Sequence, residues 1–288
     1  MDTRPSLTAE AVCFMRAVDQ LKPPSDRVID DPYARHFLSP PWRALLTVPA
    51  VAWRVLPELT TYIRARHRYM DDQLRAALSD RNPGHPDGRP VEQLVILGAG
   101  YDTRGHRLAP VLGGRRVFEV DYPTTAARKQ KILKTFSDPP LNPAVTYVTI
   151  DFQTQSIHDV LTAAGFDPTR PTFFTWEGVS MYLSRAAVRG TLGALRSLAA
   201  PGSSLTMDYF RYLDAHTLGA SARRLSAGLL AFISEPVTFP MDPEDVSDFM
   251  GRDGWRVTDV ADAAELERRY IRDGRTVYPA NFVVTAVV

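Results

Sequence analysis

Apolar and polar positions divide the chain into a helical N-terminal part and a part in which strands and helices alternate. From residue 6 to about residue 78, apolar residues recur at helical spacing, with prolines interrupting the pattern. Residues 82–90 contain three prolines and two glycines, a composition that cannot continue a helix. We therefore predict an N-terminal helical cap over residues 1–90 and a core over residues 91–288.

Within the core, short apolar runs bounded by turn residues predict seven strands. They lie at residues 93–97, 116–121, 145–150, 172–176, 204–209, 255–260 and 282–287. Helical crossovers between strands favour parallel pairing and place ligands at the carboxyl ends of the strands. The predicted fold class is α/β, a Rossmann-like, doubly wound, seven-stranded sheet with a helical cap.

Charge and cysteine content exclude several classes of partner. The 34 basic and 33 acidic residues give a net charge of +1, so no broad field attracts nucleic acid or anionic membranes. The single cysteine cannot form an intramolecular disulfide, and no Cys-x-x-Cys or His-x-x-x-His pair suggests a metal site. We expect a cytoplasmic protein with no structural metal, no membrane span and a small-molecule partner; homo-oligomer formation stays open.

The first core strand runs directly into a turn made of Gly98, Ala99 and Gly100. Glycines at such a turn let the backbone approach a ligand closely. The third glycine of a dinucleotide-binding turn, which allows tight packing around a pyrophosphate, is replaced here by Thr103. A nucleoside without phosphates therefore fits better, although an ordinary strand-to-helix turn has the same glycines.

Acidic residues end the next two strands of the core. Asp121, followed by Tyr122, stands where a carboxylate can accept hydrogen bonds from both ribose hydroxyls. Asp151 is suited to accept from an adenine amino group while the backbone N–H of Phe152 donates to the ring, but Asp151 could instead cap the following helix. These residues predict a nucleoside site at the edge of the sheet.

The fourth predicted strand is followed by Glu177 and Gly178. A carboxylate placed directly after an apolar strand is costly to bury unless a cation lies beside it. An ammonium or sulfonium group of a ligand would serve as that cation, and so would a structural salt bridge. The sequence leaves both alternatives open.

The segments just described, taken together, resemble the leucine carboxyl methyltransferase family. The resemblance is closest to its bacterial branch of S-adenosylmethionine-dependent O-methyltransferases, which includes polyketide-modifying members. It covers nearly the whole chain and weakens after about Phe210. The matching segments are residues 31–34, 64–67, 97–104, 118–123, 151–152 and 176–183.

The resemblance implies a class I methyltransferase fold with S-adenosylmethionine as cofactor. In the family the acid after the fourth strand lies near the cofactor's amino group, and basic residues of the N-terminal helices hold its carboxylate. The cofactor-binding residues that it implies are Arg16, Arg64, Arg66, Gly98, Ala99, Gly100, Asp121, Tyr122, Asp151, Phe152, Glu177 and Gly178. Without the resemblance, Arg64 and Arg66 would be interpreted as a solvated helix face.

The chemistry expected is methyl transfer to a carboxylate or hydroxyl oxygen of a small acceptor, apolar or polyketide-like. A carboxylate is already ionised at neutral pH, whereas a hydroxyl gains from proton removal. Tyr182, Tyr209 and His106 are candidates for that proton transfer, but each could equally be a packed or surface residue. Aromatic residues after the fifth strand, including Tyr212, are expected to contact the acceptor, and residues 221–228 to form a mobile segment.

Two other functions remain open from the sequence. A nicotinamide-dependent oxidoreductase would need a working pyrophosphate site, which Thr103 makes difficult. A protein that binds S-adenosylmethionine without catalysis would keep the nucleoside site and lack transfer activity.

Overall fold

A seven-stranded sheet lies at the centre of the protein. The computed structural model describes residues 7–136, 140–152, 154–211 and 237–288. The strand order is β3-β2-β1-β4-β5-β7-β6, in which β7 alone runs in the direction opposite to the other strands. The strands are β1 (Gln93–Leu97), β2 (Arg116–Asp121), β3 (Val145–Thr149), β4 (Thr172–Trp176), β5 (Ser204–Phe210), β6 (Arg256–Ala261) and β7 (Asn281–Val287).

The predicted strands are confirmed, with each boundary within one residue of its predicted position. The expectation that neighbouring strands are parallel is wrong at β7, which inserts between β5 and β6 in the antiparallel sense. The parallel pairs β1–β2 and β1–β4 lie at the centre, and every residue of β1 and β4 is buried. Burial on both faces explains why these strands are predominantly apolar.

Helices cover the sheet and form the N-terminal part. Among the described residues, no helix is both long enough and apolar enough to cross a lipid bilayer. The helices are α1 (Leu7–Ala17), α2 (Pro40–Leu46), α3 (Pro49–Ala52), α4 (Pro57–Ala77), α5 (Arg104–Arg107), α6 (Ala109–Leu112), α7 (Pro123–Leu133), α8 (Ile157–Ala163), α9 (Arg185–Leu198), α10 (Val246–Gly251) and α11 (Ala263–Tyr270).

Prolines of the N-terminal part begin helices as well as ending them. Pro40, Pro49 and Pro57 are the first residues of α2, α3 and α4. Proline suits this position because its fixed φ matches a helix and the first N–H of a helix has no partner within the helix. The prolines that interrupt the helical pattern therefore also set where the helices start.

Helix α4 attaches the N-terminal part directly to the sheet. Its residues Tyr62 and Ile63 belong to the same buried cluster as Val283 of β7, and Leu74 packs in a cluster with Leu94 of β1. The boundary predicted at residue 90 therefore marks a change in the chain's pattern, while the apolar core continues across it. The division into a cap and a core stays a prediction.

Adding a side chain should have opposite effects on stability at two of the glycines. Gly98 has φ +59°, and a Cβ there would lie 2.7 Å from Cγ2 of Val179. Gly190 lies on the exposed side of α9 with nothing within 4 Å of a Cβ. We predict that Gly98→Ala lowers the free energy of unfolding by about 1–3 kcal/mol, because a left-handed backbone and a close contact both oppose it.

In contrast, Gly190→Ala should raise the free energy of unfolding by about 0.5–1 kcal/mol, since alanine favours an exposed helix interior over glycine. Urea denaturation followed by circular dichroism measures both variants. Equal effects of the two substitutions would show that the left-handed turn at residue 98 carries no special conformational cost.

Candidate functional site

A cavity of about 420 Å³ lies at the carboxyl ends of β1, β2 and β4. Ligand pockets commonly have volumes of about 300–1,000 Å³. The glycine turn and the residues after β2 and β4 form one side, and helices α1 and α4 form the other. Its lining residues are Ala9, Val12, Cys13, Arg16, Arg66, His67, Ile96, Leu97, Gly98, Ala99, Gly100, Tyr101, Asp102, Asp121, Tyr122, Thr125, Phe152, Glu177, Gly178, Val179 and Tyr182.

Most of the residues predicted from the sequence meet at this cavity. The predicted residues that line it are Arg16, Arg66, Gly98, Ala99, Gly100, Asp121, Tyr122, Phe152, Glu177, Gly178 and Tyr182. Four others are not among its lining residues: Arg64, His106, Asp151 and Tyr209. Tyr212 and residues 221–228 lie outside the described residues.

Asp121 closes the glycine turn from the end of β2. Its Oδ2 accepts the backbone N–H of Gly100, and its Oδ1 accepts that of Tyr122 at 2.6 Å. Burial raises the pKa of this carboxyl, and the two N–H donors oppose that rise. A carboxylate offers about four acceptor positions, so each oxygen keeps one for a further donor. Asp121 can therefore hold the turn and still bind two hydroxyl groups.

Glu177 is surrounded by cations of the protein itself. Its Oε1 lies 2.7 Å from Nε of Arg66, and its Oε2 lies 2.7 Å from Nη1 of Arg104. Burial alone would raise the pKa of Glu177, but His67, Arg104 and Arg66 hold it well below its usual range. The structural salt bridge left open by the sequence is therefore present, and it keeps this carboxylate ionised.

His67 joins the two sides of the cavity. Its Nδ1 lies 2.9 Å from Oε1 of Glu177 and 3.0 Å from the carbonyl oxygen of Ile63, while its Nε2 lies 3.0 Å from Nη1 of Arg16. Arg16 also pairs with Asp31 at 3.0 Å and donates to the carbonyl oxygen of Tyr101 at 2.6 Å. These contacts fix one end of α1 against α4.

Asp208, near the end of β5, supports the floor of the cavity without lining it. Its Oδ1 accepts the N–H of Gly178 at 2.6 Å, and its Oδ2 accepts from Nη1 of Arg66 at 2.7 Å. Burial raises the pKa of Asp208, and Arg66 opposes that rise. The loop after β4 is therefore tied to both β5 and α4.

Arg64 faces away from the cavity, contrary to the prediction that it binds cofactor beside Arg66. Residues two apart on a helix point in roughly opposite directions, at about 100° per residue. Arg64 is fully buried, pairs with Asp19 at 2.9 Å and stacks over the ring of Trp53 at 4.8 Å. It fastens α4 to the chain that follows α1.

His106 and Tyr209, two candidates for proton transfer, are placed away from the cavity. Nε2 of His106 lies 2.9 Å from the Tyr147 hydroxyl, and its Nδ1 accepts the backbone N–H of Asn142 at 3.2 Å. Tyr209 is fully buried and stacked on Phe282, because successive strand residues point to opposite faces and Asp208 takes the cavity side. Neither side chain lines the cavity, so the structure places neither beside a molecule that would bind there.

Phe152 lines the cavity with its side chain 49% exposed, whereas the neighbouring Asp151 does not line it. The N-cap of α8 is Ser156, whose side chain accepts from the backbone N–H of Asp159, so Asp151 is not the helix cap. The predicted contact between Asp151 and an adenine amino group stays a prediction.

Sequence reasoning missed His67, Arg104 and Asp208. A signal existed for Asp208, because it lies near the carboxyl end of a core strand, where ligand-site residues are expected. Arg104 lies only four residues beyond Gly100 in the first turn of α5. No local pattern marks His67, because its partners Arg16 and Glu177 are 51 and 110 residues away along the chain.

Solved structures share this architecture. A DUF574 family protein from Streptomyces avermitilis matches with a TM-score of 0.58 and 16% identity, over 95% of this chain and 96% of the other. A "putative methyltransferase" from Thermobifida fusca matches with a TM-score of 0.56 and 19% identity, over 94% and 97% of the two chains. The fold is that of class I methyltransferases, as predicted.

Sequence relatives define the family more narrowly. The family model described as "Leucine carboxyl methyltransferase" matches residues 9–196. A protein of Mycobacteroides abscessus named "Putative S-adenosyl-L-methionine-dependent methyltransferase" is 31% identical over 291 aligned residues, covering 92% of this chain and 86% of the relative. The chain belongs to the leucine carboxyl methyltransferase family, and its class of activity is S-adenosylmethionine-dependent methyl transfer.

The buried histidine makes stability depend on pH. Burial lowers the pKa of His67 to about 4, against the smaller opposing effect of Glu177. Between about pH 4 and 6.5, His67 is protonated in the unfolded chain and neutral in the folded protein. The free energy of unfolding therefore falls as pH falls through this window. Arg16, Glu177 and Arg104 face the ring from α1, the loop after β4 and α5.

We predict that lowering the pH from 7 to 5 costs the wild type about 2 kcal/mol more than it costs His67→Asn, since asparagine does not titrate. Urea denaturation at the two pH values measures this difference. An identical loss in both proteins would mean that the pKa of His67 is the same in the folded and the unfolded chain.

Proposed function

We propose that the cavity binds S-adenosylmethionine and that the protein transfers its methyl group to an oxygen of a small acceptor. The observation that supports this most is the distribution of charge in the cavity. A rim carboxylate, Asp121, lies at one end, and Arg16, Arg66 and Glu177 lie at the other. A ribose with hydroxyls at one end and an amino acid at the other matches this distribution.

The residues present suit each part of that cofactor. Asp121 would accept from the ribose hydroxyls through its remaining acceptor positions. The exposed ring of Phe152 would pack on the adenine. Arg16 and Arg66 would face the carboxylate of the amino-acid end, and Glu177 would accept from its ammonium group.

The glycine turn argues against a pyrophosphate ligand. The N–H of Ala99 donates to the Val120 carbonyl oxygen, and that of Gly100 donates to Asp121. At the start of α5, the N–H of Arg104 donates to the Asp102 carboxylate at 2.7 Å. A pyrophosphate needs such N–H groups free, and it would meet two carboxylates instead. A nicotinamide-dependent oxidoreductase is therefore less well supported than a methyltransferase.

The surface of the cavity near α1 suits an apolar acceptor. Ala9, Val12 and Cys13 lie on one face of α1 and line the cavity, which Val179 and Tyr182 also line. Such a surface offers contact area to an apolar or polyketide-like molecule and few polar groups to compete for it. Tyr182 is the one predicted catalytic candidate that lines this cavity.

The acceptor oxygen favoured by the described residues is a carboxylate. When bound, S-adenosylmethionine supplies a methyl group activated by its positive sulfur. In the described part of the cavity, each lining carboxylate and the lining histidine already accept a hydrogen bond or ion pair, from Arg104, Gly100, Arg66 or Arg16. A carboxylate acceptor needs no base, so positioning alone would be enough.

The remaining sequence predictions accompany this proposal. A small-molecule acceptor and a cytoplasmic location stay predictions, and homo-oligomer formation stays open. A non-catalytic protein that binds S-adenosylmethionine is the alternative, and it is excluded only by transfer of a labelled methyl group.

We predict that the wild type binds S-adenosylhomocysteine and does not bind NAD at comparable concentrations. Asp121→Ala should weaken S-adenosylhomocysteine binding by about tenfold or more, because a charged acceptor for two hydroxyls is lost. The fold should persist, since the freed N–H groups face the cavity, where water can reach them. Titration calorimetry and circular dichroism measure binding and fold.

Asp159→Ala removes an exposed acid on α8 and serves as the matched control. It should bind S-adenosylhomocysteine like the wild type. If Asp121→Ala also binds with unchanged affinity, the nucleoside site does not lie at this rim.

The second test concerns the acceptor. With labelled S-adenosylmethionine, apolar carboxylic acids should be methylated, and kcat/KM should stay constant between about pH 6 and 9 because the acceptor is already ionised. A phenol or alcohol would instead gain up to about tenfold per pH unit below its pKa. Methylation of phenols alone, with such a rise, would replace the carboxylate assignment by a hydroxyl one.

A further inference from the structure

His67 lies at the centre of the charged end of the cavity, between a cation and an anion. Its side chain is 2% exposed and touches Arg16 on one side and Glu177 on the other. Both partners also line the cavity, and both are expected to face the amino-acid end of the cofactor. The function proposed above assigns no role to this histidine.

The contacts determine the protonation of the ring. Arginine can only donate hydrogen bonds, so Nε2 of His67 must accept from Nη1 of Arg16. The hydrogen therefore sits on Nδ1, which points at Oε1 of Glu177 and at the carbonyl oxygen of Ile63. A neutral ring with its hydrogen on Nδ1 can donate to the Ile63 carbonyl oxygen and shares that hydrogen with Oε1 of Glu177 at 2.9 Å. A doubly protonated ring would direct a donor at the guanidinium of Arg16.

This arrangement leaves only one oxygen of Glu177 available to a ligand. Oε1 accepts from Nε of Arg66 and lies 2.9 Å from Nδ1 of His67, so both of its acceptor positions face donors of the protein. Oε2 accepts only from Nη1 of Arg104 among the contacts of the described residues. One acceptor position therefore remains, on Oε2.

We propose that His67 is a positioning residue for the amino-acid end of the cofactor: its Nδ1–H turns Glu177 so that Oε2 receives the ammonium group. This proposal rests on the proposed function, since it needs S-adenosylmethionine to occupy the cavity. His67 itself need not touch the ligand. Its effect passes through the orientation of the carboxylate.

The test separates positioning from packing by using two ligands. S-adenosylhomocysteine carries the amino-acid end, and 5′-methylthioadenosine lacks it. His67→Leu keeps an apolar side chain of similar size but offers no hydrogen bond. S-adenosylhomocysteine should bind this variant about tenfold or more weakly, while 5′-methylthioadenosine should bind within about twofold of the wild type.

Two further variants test which ring nitrogen matters. The amide nitrogen of asparagine can occupy the place of Nδ1 and donate to Glu177, whereas the oxygen of glutamine can occupy the place of Nε2 and accept from Arg16. His67→Asn should bind S-adenosylhomocysteine within about threefold of the wild type, and His67→Gln should resemble His67→Leu. Restoration by glutamine alone would overturn the route through Glu177.

Leu74→Ala provides the control for a loss of stability. Leu74 is a fully buried residue of α4. It packs in a cluster with Leu94 of β1 and does not line the cavity. The Leu74→Ala variant should unfold more easily, while the ratio of its affinities for S-adenosylhomocysteine and 5′-methylthioadenosine should not change. An equal loss of both ligands in His67→Leu would show a merely structural role.

The outcomes distinguish this proposal from the proposed function. If the wild type binds neither ligand, the proposed function fails and the role of His67 fails with it. If the wild type binds S-adenosylhomocysteine and His67→Leu binds it equally well, only the positioning role is overturned.

Discussion

The site depends on keeping Glu177 ionised inside the protein. Removing a carboxylate from water costs several kcal/mol unless cations and hydrogen-bond donors surround it. Arg66 and His67 of α4 and Arg104 of α5 supply those partners. Helices from both parts of the chain must therefore be in place before the loop after β4 can hold this charge. The helix that is attached to the sheet therefore also supplies one side of the cavity.

Carboxylates beside the glycine turn distinguish this cavity from a dinucleotide site that has a similar turn. Asp121 and Asp102 occupy the N–H groups of Gly100 and Arg104. These carboxylates repel an anionic pyrophosphate and favour a ligand with hydroxyl groups and a positive charge. The backbone shape of the turn is shared by both kinds of site. The acids placed against it select the ligand.

Parts of the site could be predicted because they obey local rules. Gly98, Gly100, Asp121 and Glu177 all stand at the carboxyl ends of strands that the apolar runs revealed. The rule did not select between Asp208 and Tyr209, because which of two adjacent strand residues faces the cavity depends on register. It also could not separate Arg66 from Arg64, which face opposite sides of α4.

By itself, the sequence determined the seven strands, the α/β class and the edge of the sheet where the cavity lies. Buried strands need continuous apolar runs, and those runs are visible along the chain. Only the tertiary structure decided the antiparallel β7 and the contacts that join Arg16, His67 and Glu177. A charge is stabilised by the groups that lie within a few ångströms of it. When those groups are far apart along the chain, tertiary packing sets their distances, and the local periodicity of the sequence does not encode that packing.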